Sequence, residues 1–340
     1  MIQFTIKTVQ VLMTKFFSKE ATTSVVEAIP ADAKKVLFVD TGATPDLATT
    51  IQSLVDKGIS VTIRDHHKGE GRNPEAAQTI EQILGSNAQI VDRKTAPGCA
   101  TLVELGEFWD ADVIIADPDY DGLVAAMKAA GISYEGMDED AEVFDVRPKQ
   151  SAETLTELGW TAVRALSTLP PFNKARPEIS ENAKKQLFER FVAAAQGDNE
   201  ARGELEKAVA TYEAGVTEAK RLLTEKMSHP CNGVVMIDSV GADRSDLNTL
   251  TRGMESEGAI VTAVRKDFGP IAGKPGGHGT QYSLAVVRKH QDELDLRTLV
   301  PEGTETSPQA GLLSNVAFLL HCSEKVWNET IIPALESRLG

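Results

Sequence analysis

The sequence predicts an α/β protein: a parallel-sheet domain joined by helices to a smaller α/β domain. Three observations carry this. Between residues 34 and 120, short apolar runs alternate with helical patterns, the spacing of a parallel sheet with helices on both faces. Residues 178–228 then turn rich in Ala, Glu and Lys with helical periodicity, and from residue 232 the α/β rhythm returns. A chain of 340 residues can bury two separate cores. The expected divisions are 1–160, a helical linker over 161–228, and 229–340.

Taken in order, the apolar start MIQFTIKTVQVLMTKFF reads as a strand or a short helix of the mature chain. KKVLFVD (34–40) reads as a strand, DLATTIQSLVDKG as a helix and SVTIRDHH (60–67) as a strand running into a polar loop. PEAAQTIEQILG follows as a helix, NAQIVD (87–92) as a strand and CATLVELGEFW as a helix. ADVIIADPDYDG (111–122) is a further strand that opens into the helical LVAAMKAAG. The Ala/Glu/Lys-rich stretch reads as two helices broken near Gly197-Asp198-Asn199. In the last part, NGVVMID, AIVTAVRKD and QYSLAVV read as strands, with DLNTLTRGMESEG a helix between the first two.

Composition narrows the function classes. Hydrophobic residues make up 41% and charged residues 25%, the range of globular chains. No run of eighteen apolar residues occurs, so no membrane span is expected. Three widely spaced cysteines without a CxxC pair fit a reducing cytoplasm rather than a disulfide framework. A net charge of −15 disfavours long nucleic acids, which need clustered cations, and points towards small phosphorylated molecules.

The strand ends carry the chemistry. VLFVD stops on Asp40, VTIRD on Asp65, QIVD on Asp92 and VIIAD on Asp117. Ligands of open α/β sheets bind beyond the carboxyl ends of the strands, so four strands deliver aspartates to one edge. One aspartate after a strand is usually a turn former or helix cap; four together, one followed by His66-His67, suggest a cation site. Carboxylates and imidazole suit Mn²⁺. Asp40, Asp65, His66, His67, Asp117, Asp119 and Asp121 form the inventory, with Asp65 able to orient a histidine ring from behind.

RDHH after an apolar strand, with VDTG one strand–helix unit upstream, resembles the DHH phosphoesterases, among them RecJ exonucleases and NrnA-type oligoribonucleases. DPDYDG followed by LVAAMKAAG is similar to the first motif of that superfamily. GKPGGHGT resembles the GGH loop of its DHHA1 substrate-binding domain, whose opening strand and helix VVMIDSVGADRSDLNTL resembles. The likeness spans most of the chain outside the central helices. It implies a DHH-type catalytic domain followed by a DHHA1-like lobe. The implied function is hydrolysis of short oligonucleotides, dinucleotides or similar small phosphoesters by metal-activated water. Two Mn²⁺ ions, or Mg²⁺, would serve as cofactor. Asp65, His66 and His67 would be catalytic, and Asp40, His66, Asp117, Asp119 and Asp121 would hold metal. Arg265, Gly276, Gly277 and His278 would bind substrate.

In the family the Asp-x-Asp motif precedes VD and DHH, whereas here DPDYDG follows them by about fifty residues. Either the catalytic domain is circularly permuted, or DPDYDG occupies the place of a fourth motif; the spacing and the small-residue helix behind it favour permutation. The remaining carboxylate is Asp92 or Asp145. Alternatives are a RecJ-like single-strand exonuclease and a non-catalytic scaffold of the same fold. A cytoplasmic protein, with a homodimer among its expected forms, completes the expectation.

Overall fold

The computed structural model describes residues 1–14, 19–68, 74–146, 155–169, 177–242, 245–267, 280–290, 294–296, 317–321 and 323–339. The chain divides into two compact units, residues 1–209 and 210–340.

The first unit opens with a hairpin, β1 (Ile2–Ile6) and β2 (Val9–Met13), turned at Lys7 with a φ of +52°. Helix α1 (Lys19–Ala28), β3 (Lys35–Val39), α2 (Pro45–Asp56), β4 (Ser60–Asp65) and α3 (Pro74–Leu84) follow. Then come β5 (Ala88–Ile90), β6 (Val113–Ala116), α4 (Tyr120–Ala129), α5 (Met137–Val146), α6 (Glu157–Ser167), α7 (Pro177–Ala195) and α8 (Asn199–Glu225). The six strands lie in the order β1-β2-β6-β3-β4-β5. From β2 to β5 every pairing is parallel, and β1 runs antiparallel at one edge.

Alternating side chains give the sheet two buried faces. Val36 and Phe38 of β3, with Val113 and Ile115 of β6, pack under α2 and α3. Leu37 and Val39, with Ile114 and Ala116, pack under α4. Strands apolar on both faces are what a helix-covered parallel sheet requires. The helix starts are written locally: Pro45 opens α2 behind the Thr44 cap, whose side chain accepts from the Leu47 amide, and Asp119 caps α4.

The second unit takes in the end of α8, then β7 (Met227–Cys231), β8 (Val234–Asp238), α9 (Leu247–Ser256), β9 (Val261–Asp267), β10 (Thr280–Val286) and β11 (Ala317–His321). Helix α10 (Glu324–Val326) leads through a π-helical turn at Trp327–Ile331 into α11 (Ile332–Leu339). Its sheet runs β11-β10-β9-β8-β7, with β8 and β9 its parallel pair. Ala201 and Leu205 of α8 are buried in the first unit's core, and Ala219 and Leu222 in a core of the second. The segment 161–228 is thus shared between the two units, α6 and α7 falling in the first.

Three local expectations change. CATLVELGEFW forms a single 3-10 turn, Cys99–Leu102, followed by Val103 in an extended conformation. Its β-branched Thr101 and Val103 resist a helix, and Gly106 turns the chain at a φ of +74°. Strand β5 stops at Ile90, because Asp92 Oδ1 accepts from the amides of Lys94 and Thr95 and forms its own turn. The N-terminal segment supplies two strands rather than one.

Candidate metal centre

Strands β3, β4 and β6 are neighbours in the sheet, so the residues after their carboxyl ends meet. Asp40 follows β3 with a φ of +55°, a left-handed backbone that aspartate tolerates better than most residues. Its amide donates to the Arg64 carbonyl at 3.0 Å, tying the turn to β4. Asp65 ends β4 and organises both exits. Its Oδ1 accepts from the His67 amide at 2.7 Å and from Nδ1 of the same residue at 2.8 Å. Its Oδ2 accepts from the Gly42 amide beyond β3. Burial works against its charge, but the His67 hydrogen bonds prevail and hold the Asp65 carboxyl below the usual range.

His66 is fully buried, with Nδ1 2.9 Å from the Ala96 carbonyl. A carbonyl only accepts, so Nδ1 carries the proton and Nε2 of the neutral ring carries the lone pair. That nitrogen stands 3.1 Å from Asp40 Oδ1 and 3.4 Å from Asp121 Oδ2. Burial pushes the His66 pKa down to about 4, so the ring is neutral at pH 7. A lone pair and two carboxylate oxygens converging in a buried space repel one another unless a proton or a cation lies between them. Burial first, then the charges of Asp121, Asp119, Asp65 and Asp117, raise the Asp40 carboxyl well above its ordinary value. One candidate ligand atom each of Asp40, His66 and His67 lies within 4.8 Å of the others.

The other expected residues take varied places. Asp121, in the first turn of α4, accepts through Oδ2 from the Cys99 amide at 2.9 Å. Asp119 caps α4, its Oδ1 accepting from the Gly122 amide at 3.0 Å. Asp117 is half-buried after β6, close enough for its charge to act on Asp40. A Cβ at Gly122 would lie 2.5 Å from the Asp117 carbonyl, so this glycine lets α4 fold back over the strand exit. Asp92 is an exposed turn former, and the side chain of Asp145 lies outside the described residues, as do Gly276, Gly277 and His278. Arg265, on β9 of the second unit, directs Nη1 to Asp238 Oδ2 at 2.8 Å.

His67 departs from a simple ligand. Nε2 lies 2.8 Å from the Arg93 guanidinium, which only donates, so Nε2 accepts and Nδ1–H donates to Asp65. Both ring nitrogens are engaged. Arg93, Ala96 and Cys99 all come from RKTAPGC (93–99), to which sequence reasoning assigned no role, and this segment touches His67, His66 and Asp121 in turn. The available signal was Gly98: a Cβ there would lie 2.8 Å from the Glu142 amide, so the loop packs closely against α5. Cys99 keeps its thiol proton, with burial and then the charges of Asp40, Asp121 and Asp65 raising its pKa.

No protein family matches the chain, and no curated protein matches it. Among solved structures it is similar to an uncharacterized protein from Helicobacter pylori G27, 11% identical over 94% of this chain and 87% of that one. The TM-score between the two is 0.21. No described helix is long and apolar enough to cross a membrane.

Proposed function

We propose that the protein is a manganese-dependent phosphoesterase of the DHH type, acting on short oligonucleotides, dinucleotides or similar small phosphoesters. The observation that carries this reading is the meeting of His66 Nε2 with Asp40 and Asp121 oxygens, delivered after three neighbouring strands into a buried space. One imidazole nitrogen with carboxylate oxygens suits Mn²⁺. Asp40, His66 and Asp121 would hold it, with Asp117 beside them. Bound there, manganese supplies Lewis acidity and neutralises charge at a phosphoryl group. The chain's own residues do the positioning: Ala96 fixes the His66 tautomer, and Asp65 locks the two strand exits together through Gly42 and His67.

The order of strands supports the permuted arrangement of motifs. DPDYDG comes last of the three in sequence, yet β6 lies directly against β3, bringing it beside VDTG and next but one to DHH. The separate second unit, with its parallel β8–β9 pair, is compatible with a DHHA1-like substrate lobe.

Manganese-dependent hydrolysis of a labelled panel tests the reading. The panel holds dinucleotides, a five-nucleotide RNA, long single-stranded DNA, a cyclic dinucleotide and pyrophosphate, with manganese binding measured in parallel. Cleavage of the short substrates is expected, falling by at least about 100-fold in His66→Ala. Preference for long single strands would favour a RecJ-like exonuclease. Absence of both cleavage and manganese binding would turn the assignment to a scaffold.

A further inference from the structure

In the first unit, a cavity of about 490 Å³ lies at the carboxyl edge of the sheet, beside the candidate metal centre. Its wall includes Thr14, whose amide donates to the Ala116 carbonyl at 3.0 Å, and Pro118, which stands between Asp117 and Asp119. Strands β2, β6 and β3 are consecutive neighbours, so Thr14, Asp117 and Asp40 follow one another along this edge, about 10 Å from first to last. Such a volume lies in the range of small-molecule sites and well above the voids of a packed core. Ile2 and the half-buried Leu166 and Leu169 give the cavity apolar walls. Glu181 and Lys184 of α7 bring an acceptor and a donor to it. Lys184 donates through Nζ to the Pro118 carbonyl, so its ammonium stands where the cavity meets the loop of the acids.

We propose that this cavity receives the nucleobase of the substrate while the phosphoryl group lies at the metal centre. The inference deepens the phosphoesterase reading, by narrowing the substrate class to nucleotides, and rests on it. A base has two apolar faces and an edge of donors and acceptors, which matches apolar walls with Glu181 and Lys184 among them. The sugar joins base to phosphate over a few bonds, so a base held here keeps its phosphate beside Asp117 and Asp40. An alkyl group would meet the apolar walls but leave the two α7 side chains without a counterpart, and pyrophosphate would use neither. The β1–β2 hairpin, the end of α6 and the start of α7 would thereby supply the selection among phosphoesters. The strand-end acids cannot supply it, because a metal held there meets every phosphoryl group alike.

Equilibrium dialysis on the full-length, manganese-loaded protein tests this with adenosine monophosphate, ribose 5-phosphate and hexyl phosphate, in wild type, Leu166→Trp and Leu169→Phe. Both substitutions fill the cavity with apolar volume, and thermal melting verifies that each variant is folded. Wild type is expected to bind adenosine monophosphate at least about tenfold more tightly than ribose 5-phosphate, which carries sugar and phosphate without the base. That preference should fall below about threefold in Leu166→Trp and by less in Leu169→Phe, while manganese affinity by titration calorimetry stays within about threefold of wild type. Metal-free wild type should still bind adenosine, and Leu166→Trp should bind it at least about tenfold more weakly. No preference for the base in wild type, or a preference undiminished in both folded variants, would overturn the role of the cavity and leave the manganese site standing. Hexyl phosphate binding as tightly as adenosine monophosphate would overturn the nucleobase as its occupant. Wild-type protein that binds no manganese would overturn the phosphoesterase reading and this inference with it.

Discussion

In the second sheet, Asp238 ends β8 with Oδ2 2.8 Å from Arg265 Nη1 on the adjacent strand, while Oδ1 accepts from the Val240 amide. The pair is partly open to solvent, and Arg265 also brings Nη2 within 3.6 Å of Glu324 Oε2, so the acids here have a cation of their own. Asp40 follows β3 of the first sheet at the comparable position, yet it is buried among Asp65, Asp117, Asp119 and Asp121 and faces the lone pair of His66. Both aspartates stand where a strand gives way to a turn. What separates them is burial and the balance of charge around them, and only the first arrangement asks for a cation from outside. Asp140 supplies the control within the first unit. It is as buried as Asp65, but it receives the Thr156 amide at 2.7 Å and the Thr156 hydroxyl, so it anchors the start of α6.

Removing the organising acids should separate the two edges most widely. Asp65→Ala deletes three donors' common acceptor in a fully buried position and is expected to cost about 3–5 kcal/mol in urea unfolding. Asp238→Ala removes a half-open pair and should cost about 1 kcal/mol or less. Equal costs would show that the first edge is no more tightly built than the second.

A smaller and signed effect follows from Asp40. Its folded pKa lies above the unfolded value, so metal-free stability falls as pH rises from about 3.9 towards the folded pKa. His66 acts oppositely: its folded pKa of about 4 gives a contribution fully present above about 6.5 and lost as pH falls from there to about 4. Asp40→Asn should therefore leave metal-free protein that gains stability between pH 4 and 6.5 more steeply than wild type, read by thermal melting across pH. At neutral pH manganese at 100 times its dissociation constant should stabilise wild type by about 2.7 kcal/mol and the variant scarcely at all. A metal response that survives Asp40→Asn would remove Asp40 from the ligand set.

The smallest effect belongs to Asp92. With its carboxylate spent on the Lys94 and Thr95 amides, Asp92→Ala should cost about 0.5–1 kcal/mol and leave manganese affinity unchanged. A tenfold loss of affinity would place this aspartate at the metal.

Much of the framework was legible because its signals are local. Runs such as VLFV and VIIA, apolar on both faces, define buried parallel strands; Pro45 behind Thr44, and Asp119 ahead of Gly122, mark helix starts. The convergence of Asp40, Asp65, His66 and Asp117 followed from their positions after strands, since a parallel sheet collects its carboxyl ends on one edge. The false helix at 99–109 arose where apolar content was legible but its period was not.

By itself, then, the sequence determined β3, β4 and β6 and the acids at their ends, because backbone preference and side-chain alternation act over a few residues. The tertiary structure decided that β6 lies against β3, that Asp121 rather than Asp92 faces His66, and that RKTAPGC wraps the site with Arg93 on His67. Those contacts join residues 20 to 80 positions apart. They exist only once packing has fixed strand order and loop path, and neither is written in the period of any one segment.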